Sequence, residues 1–221
     1  AFENYEYHQV FHALHNFSVV DMSNFYFDIT KDRLYVLAED SLSRRAVQTV
    51  LAEVLQTLTL LISPVLSFTA EEIWSYIPFK KGESVMLASW PDLPSFYEDE
   101  QLAERWEVIL QLREEVNRVL EAARKEKIIG SSLQASVDLY PDEELYEKLV
   151  NYIALLPTVH IVSSTVLHKP GDEPEGEFVT AQELGLRLKV KLAPGEKCQR
   201  CWVYSPTVGQ NEKHEEVCSR C

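Results

Sequence analysis

The chain has 221 residues, 46% of them hydrophobic, which excludes a disordered protein and suffices for one large domain or two modest ones. Its formal net charge of -14 argues against binding nucleic acid through a broad basic field. The richest apolar run, residues 54–68, falls short of the roughly 18 to 20 uncharged apolar residues that cross a bilayer.

The opening AFENYEYHQV lacks the basic flank, apolar stretch and cleavage site of a signal peptide. A soluble, cytoplasmic protein with no membrane partner is the expectation. With no initiator Met and a helical pattern from the start, the chain reads as a piece of something longer or as a processed product. Tyr7, Val10, Phe11, Leu14 and Phe17 recur at the spacing of one helical face, and a second helical segment is predicted over 22–37. Ser41 is the expected N-cap of the longest apolar-periodic segment, with Val47, Val50, Leu51, Val54, Leu58, Leu61, Ile62 and Val65 on one side until Pro64 ends or kinks it. Thr69 looks like the cap of a short helix through Trp74, closed by Pro78. Residues 86–96, with their prolines, read as an extended connector.

A long charged helix follows over about 99–127, with Leu102, Trp106, Ile109, Val116, Leu120 and Ala123 on its buried side and Gly130 as its stop. The period then changes. Ala135, Val137 and Leu139 alternate with Ser136 and Asp138, as in a half-buried strand. A short helix is predicted over 142–152, a strand over 159–167, an exposed loop over 169–177 and an alternating strand over 184–192. The architecture is therefore mainly α: a helical bundle (1–128), a small α+β unit (129–193) and a C-terminal ribbon (194–221).

The ribbon holds every cysteine in the chain, as Cys198-x-x-Cys201 and Cys218-x-x-Cys221. Two residues between cysteines let both sulfurs face one ion, and two such knuckles complete a tetrahedral thiolate shell for one structural Zn2+. Disulfides and a redox pair are the alternatives. The first would scatter cysteines through the fold, and the second would open a helix. His214 is a possible substitute ligand. With all four positions filled, the ion has no open site for catalysis.

No catalytic constellation appears: no Gly-rich phosphate loop, no nucleophile elbow and no His-Glu-x-x-His. His8, His12 and His15 fall along one helix stripe without a carboxylate to complete a ligand set, which favours a solvated or interface stripe. From Arg187 onward seven Lys and Arg face four Glu, so the tail is only mildly basic and any RNA contact relies on a few placed residues. Arg200 and Trp202 stand out because a knuckle would hold them with little entropy to lose. Trp offers a face for an unstacked base, and Arg grips a phosphate or a guanine edge. The alternative is that Trp202 covers the ribbon core while Arg200 is solvated. Lys31, Arg33, Arg44 and Arg45 cluster between two helices as candidate phosphate contacts or as solvated helix ends.

The stretch Asp21-Met22-Ser23-Asn24-Phe25-Tyr26-Phe27-Asp28 with Lys31-Asp32-Arg33-Leu34-Tyr35 resembles the anticodon-binding domain of bacterial isoleucyl-tRNA synthetases. So do Ser63-Pro64-Val65-Leu66-Ser67-Phe68-Thr69-Ala70-Glu71-Glu72-Ile73-Trp74 and Gly195-Glu196-Lys197-Cys198-Gln199-Arg200-Cys201-Trp202. The Pro-x-x-x-x-Thr-Ala-Glu-Glu-Ile-Trp type of segment is shared with valyl and leucyl relatives, whereas the Lys-Asp-Arg-Leu-Tyr segment combined with the Cys-x-Arg-Cys-Trp knuckle is much more specific to the isoleucyl branch. The resemblance implies the C-terminal portion of a cytoplasmic, monomeric ligase that activates isoleucine with ATP and Mg2+ and transfers it to tRNA. This portion would bind the anticodon stem-loop and catalyse nothing, alongside the catalytic and editing domains of the parent chain. The matching Arg and Trp of the family are associated with anticodon recognition, which raises Arg200 and Trp202 as readers. Family members usually continue past the fourth cysteine, so the last ligand at Cys221 is expected to be the least secure. The N-terminal helix is expected to expose apolar surface. The same region of a valyl or leucyl synthetase is the nearest rival, and a helical protein-interaction domain with a structural zinc appendage is the competing class.

Overall fold

The computed structural model describes residues 1–79, 82–90 and 97–221, so the end of the connector expected over 86–96 lies outside the described residues. The chain divides into two compact units, 1–98 and 99–221.

In the first unit the helical periods produce helices, with different joints from those expected. Helix α1 (Tyr7–Asn16) runs without a break through a π-helical stretch, Phe17–Tyr26, into α2 (Phe27–Tyr35), where the sequence predicts two separate segments. The wider π turn lets the chain continue across residues 17–26, whose apolar side chains share no single 3.6-residue face. Thr30 steadies the transition by donating from its hydroxyl to the Tyr26 carbonyl, 2.7 Å away. The apolar stripe of α1 is not buried: Tyr7 and Phe11 are exposed, and Phe11 stacks on His15.

Helix α3 (Leu42–Ile62) starts after Ser41, which occupies the N-cap position but contributes its carbonyl rather than its side chain. Pro64 falls in the turn that follows, and α4 (Ser67–Tyr76) begins two residues before the expected Thr69. Its Ser67 hydroxyl donates to the Ser63 carbonyl at 3.0 Å, tying the new helix to the old one. Leu60, Ala70, Trp74, Ile77 and Val85 form the local core, with the Trp74 indole N–H donating to the Gly82 carbonyl.

Contrary to the run-based reading, α3 is long and apolar enough to cross a membrane by length and composition, at a mean hydropathy of 1.3. Its charges, Arg44, Arg45 and Glu53, break the uncharged run, while Leu, Ile, Val and Ala make up most of the remaining residues, with Gln48, Thr49, Gln56, Thr57 and Thr59 among them. The helix packs against α2 and α4, and Glu53 accepts from the Tyr97 hydroxyl at 2.7 Å.

The second unit opens with α5 (Glu100–Lys125), capped by the Asp99 carboxylate, which accepts from the Leu102 amide at 2.9 Å. Ile109, Leu112, Val116, Val119, Leu120 and Ala123 are buried, while Leu102, expected inside, is 42% exposed. The helix ends before Gly130. Lys127 takes the left-handed conformation (φ 60), Ile128 N–H bonds back to the Ala123 carbonyl and Lys127 N–H to that of Arg124, a Schellman turn with a lysine at the position that favours glycine.

A four-stranded sheet follows in the order β2-β1-β4-β3, made from β1 (Ala135–Pro141), β2 (Ser164–Leu167), β3 (Val179–Ala181) and β4 (Leu186–Leu192). Strand β1 pairs parallel with β2 and antiparallel with β4, and all seven of its residues are buried, not one face only. Helix α6 (Glu143–Leu149) is capped by Asp142. The strand expected over 159–167 is shorter. Pro157 in the first turn favours helix, so Leu156–His160 forms α7, and Ile161 reverses the chain in the left-handed region before β2.

His160 on α7 is fully enclosed, and burial first, then the Arg113 charge, brings it down to about 3 from 6.5. In the window from about pH 6.5 down to about 3, the unfolded chain takes a proton on His160 that the folded chain refuses, so acid opposes folding. Against His160→Leu, the parent should lose about 1.4 kcal/mol per pH unit between pH 6 and 4 in urea melts. A pH-independent gap between the two proteins would refute this. Lys127→Gly should raise the urea midpoint by the equivalent of about 0.5–1 kcal/mol, because glycine removes the left-handed strain. A lower midpoint would contradict the Schellman assignment.

Candidate metal centre

The ribbon is a hairpin of β5 (Glu196–Lys197) and β6 (Tyr204–Ser205) wrapped around the first Cys-x-x-Cys. Gly195 starts it at φ +89, and a Cβ there would stand 2.2 Å from the Ser205 carbonyl carbon, so no other residue fits without moving the partner strand. The chain then doubles back: the Cys198 amide donates to the Val203 carbonyl at 3.0 Å and the Trp202 amide to the Cys198 carbonyl at 2.9 Å, with Trp202 itself at φ 64. The second knuckle closes against the first through Gln199 N–H to the Glu216 carbonyl, and through the Cys218 amide to Cys198 Sγ at 3.3 Å.

This folding converges the four sulfurs. Their ligand atoms all lie within 4.8 Å of one another, and Cys201 Sγ is 3.8 Å from Cys218 Sγ. Tetrahedral zinc with Zn–S bonds of about 2.3 Å needs sulfurs about 3.8 Å apart, so the donor set and its size fit one Zn2+. The cysteines are free thiols, not disulfides, and the cluster consists of cysteines alone, with His214 outside it. Cys221, at the last position, is within the cluster.

Burial pushes the Cys198 thiol up, but the amides of Cys201, Cys218 and Arg200 aimed at its sulfur outweigh that and bring it down to about 6. Burial raises Cys201, against the Val203 amide and the Arg220 side chain. Cys221 is raised by burial and by sharing hydrogen bonds with the other thiols. The cluster thus holds protons that a metal must displace, and acid competes with metal.

The candidate readers lie on the same knuckle. Arg200 is exposed, and Trp202 is 59% exposed, with Lys197 Nζ 5.2 Å from its ring centroid. Sequence reasoning missed Lys197 and Arg220; their position one or two residues from a ligand cysteine was the only available signal. It also missed the anchor of the ribbon. The Tyr204 amide donates to Ser163 Oγ at 2.7 Å, Ser163 donates onward to the Leu133 carbonyl, and Gln134 reaches the Tyr204 hydroxyl at 3.3 Å.

The four basic candidates flank the turn between α2 and α3 in the other unit. Lys31 is paired with Asp28 at 2.5 Å and Arg44 donates to the Leu37 carbonyl at 3.0 Å, so both already have local roles. Arg33 lies in the last turn of α2, where its charge partly offsets the burial that raises the Tyr26 phenol, and Arg45 is exposed on α3. His8, His12 and His15 are exposed along α1 and form no metal cluster among the described residues.

Residues 1–139 match the family model described as the anticodon-binding domain of tRNA ligase, and the chain belongs to that family. Residues 195–221 match a second model, a zinc finger found in FPG and IleRS. The first match crosses the 98/99 division and runs through α5 into β1.

The particular relatives are isoleucine–tRNA ligases. The chain is 47% identical over 224 residues to that of Moorella thermoacetica, 46% over 224 to that of Thermoanaerobacter sp. and 47% over 223 to that of Desulforamulus reducens, each covering 100% of this chain. It spans 24% of the length of each of these relatives.

Purified chain should carry one zinc per molecule by native mass spectrometry. Cys218→Ala should abolish retention, and the parent should release its zinc progressively from pH 7 to pH 5. Full zinc retention by Cys218→Ala would show that the four sulfurs do not act as one site.

Proposed function

We propose that this chain recognises the anticodon stem-loop of an isoleucine-accepting tRNA as the C-terminal part of an isoleucine–tRNA ligase. The observation that carries the reading is the metal knuckle, which holds an exposed Trp202 in a left-handed turn with the Lys197 ammonium over its ring and an exposed Arg200 two residues before it. Membership in the anticodon-binding family and the full coverage by isoleucine–tRNA ligases support it. The zinc supplies rigidity, not reaction chemistry. Its four thiolates fix the backbone, so Trp202 meets a base with its entropy already lost.

In this reading the indole stacks on an unpaired anticodon base, and Arg200 supplies a bidentate grip on a phosphate or a base edge. Lys31, Arg33, Arg44 and Arg45 contact the stem backbone, with Lys31 and Arg44 exchanging their present partners to do so. The working division is a helical part (1–128), a junction (129–193) and the zinc reader (194–221). ATP and Mg2+ serve isoleucine activation in the catalytic domain of the parent, a cytoplasmic monomer whose chain also includes an editing domain. The residues described here hold tRNA and perform no bond chemistry.

Zinc-loaded chain titrated with isoleucine tRNA and with an anticodon-swapped variant should bind the first more tightly, and Trp202→Ala should cost about 1–3 kcal/mol with zinc retained. Equal binding of both tRNAs would count against anticodon reading. Unchanged affinity of Trp202→Ala would return the ring to a purely structural role.

A further inference from the structure

The sheet of the second unit has two different faces. Leu188 and Val190 of β4 lie on the side of α5, near Val119 and Ala123. Arg187, Lys189 and Lys191 alternate with them onto the opposite face, where they register with Tyr140, Asp138 and Ser136 of β1. His168 stacks on Tyr140 there, with ring centroids 4.0 Å apart and planes 7° from parallel.

This face is covered by its own chain. Residues 169–177 pass over it: Glu173 pairs with Arg187, the Asp172 carbonyl accepts from Arg187 Nη2 at 3.4 Å, and the Glu175 carbonyl accepts from Lys189 Nζ. Beneath the strap is a cavity of ≈ 390 Å³ lined by Asp138, Tyr140, His168, Glu175, Lys189 and Lys191. The Asp138 side chain is only 3% exposed. Its Oδ2 meets Lys191 Nζ at 2.6 Å, while Oδ1 has no hydrogen-bond partner and stands 3.5 Å from His168 Nε2, which has none either. A buried acceptor beside a buried ring nitrogen is satisfied by a group that donates to one and accepts from the other, as a hydroxyl does.

Resting on the RNA reading above, we propose that this face is a second RNA contact, specific for the ribose-phosphate backbone and masked by the acidic strap. Phosphates replace Glu173 on Arg187 and the Glu175 carbonyl on Lys189, and a ribose 2′-hydroxyl donates to Asp138 Oδ1 while accepting from His168 Nε2. The Glu173 carboxylate stands where an anionic ligand would, so Arg187 and Lys189 are available only to a partner that outcompetes it and the carbonyls of Asp172 and Glu175. Phosphate contacts carry no sequence information, so the face contributes affinity and salt dependence but not anticodon choice.

The test measures affinity of the zinc-loaded chain for isoleucine tRNA and the anticodon-swapped tRNA across a salt series. The double variant Arg187→Ala/Lys189→Ala should weaken both complexes equally, by about tenfold, and reduce the salt slope by about 1.4, at roughly 0.7 for each phosphate no longer neutralised. Glu173→Gln should tighten both by a few-fold. Circular dichroism and zinc content confirm that each variant is folded. If Trp202→Ala weakens binding while Arg187→Ala/Lys189→Ala and Glu173→Gln leave affinity and slope unchanged, the masked face is refuted and the anticodon reading stands. If the parent chain binds neither tRNA, both fall.

Discussion

Strand β1 is buried on both faces, and the second unit is arranged around that fact. Its apolar side, Ala135, Val137 and Leu139, is covered in the core. Its polar side, Ser136, Asp138 and Tyr140, is covered as well, so a buried polar group left there without a partner is costly, and most of them are matched. Ser136 takes the Ser164 hydroxyl across the parallel pairing at 2.8 Å, and Asp138 takes the Lys191 ammonium. A buried carboxylate stripped of its cation is costly, so Lys191 adds a side-chain tie to the backbone ladder that holds β4 beside β1. Because β4 leads directly towards the ribbon, the place of the metal centre follows from that pairing.

The ribbon itself has almost no core. Two strands of two residues each and a few half-buried side chains cannot repay the entropy of ordering it. Metal binding of about 10–16 kcal/mol is of the size required, and it also sustains Trp202 in a left-handed conformation that costs roughly 1–3 kcal/mol. Rigidity at the knuckle and strain at Trp202 are thus two aspects of one metal-centred turn. The relatives share the chain throughout its length, so helices, sheet and ribbon form one inherited stretch of sequence.

How much was legible in the sequence depended on how local the cause was. The helices announced themselves by apolar spacing, and the four ligands by Cys-x-x-Cys, since a knuckle is built from consecutive residues. Period-two alternation showed a strand at Ala135 but only half its burial, because the cover over Asp138 comes from residues about 30 to 50 positions away. The helix stop is hidden for a similar reason. Gly130 is visible as a breaker, but Lys127 makes the turn, and its left-handed backbone is imposed by hydrogen bonds to Ala123 and Arg124. Residues 159–162 look β-like through Val159, Ile161 and Val162, yet Pro157 and the enclosure of His160 favour a helix. At the metal centre the residue types were readable; the outward display of Trp202 was not, because it depends on a backbone angle.

Ser163 is the other joint of the ribbon. Its one oxygen accepts from the Tyr204 amide and donates to the Leu133 carbonyl, so together with the Gln134 contact to the Tyr204 hydroxyl it ties the metal knuckle to the chain around β1 and β2. It acts as a set-screw: the ribbon's inner geometry is governed by sulfur and metal, its aim by this oxygen and the neighbouring Gln134–Tyr204 contact. Tuning where the knuckle points is therefore separable from tuning what it carries, and drift at position 163 can redirect the reader while its ligands and its tryptophan stay unchanged.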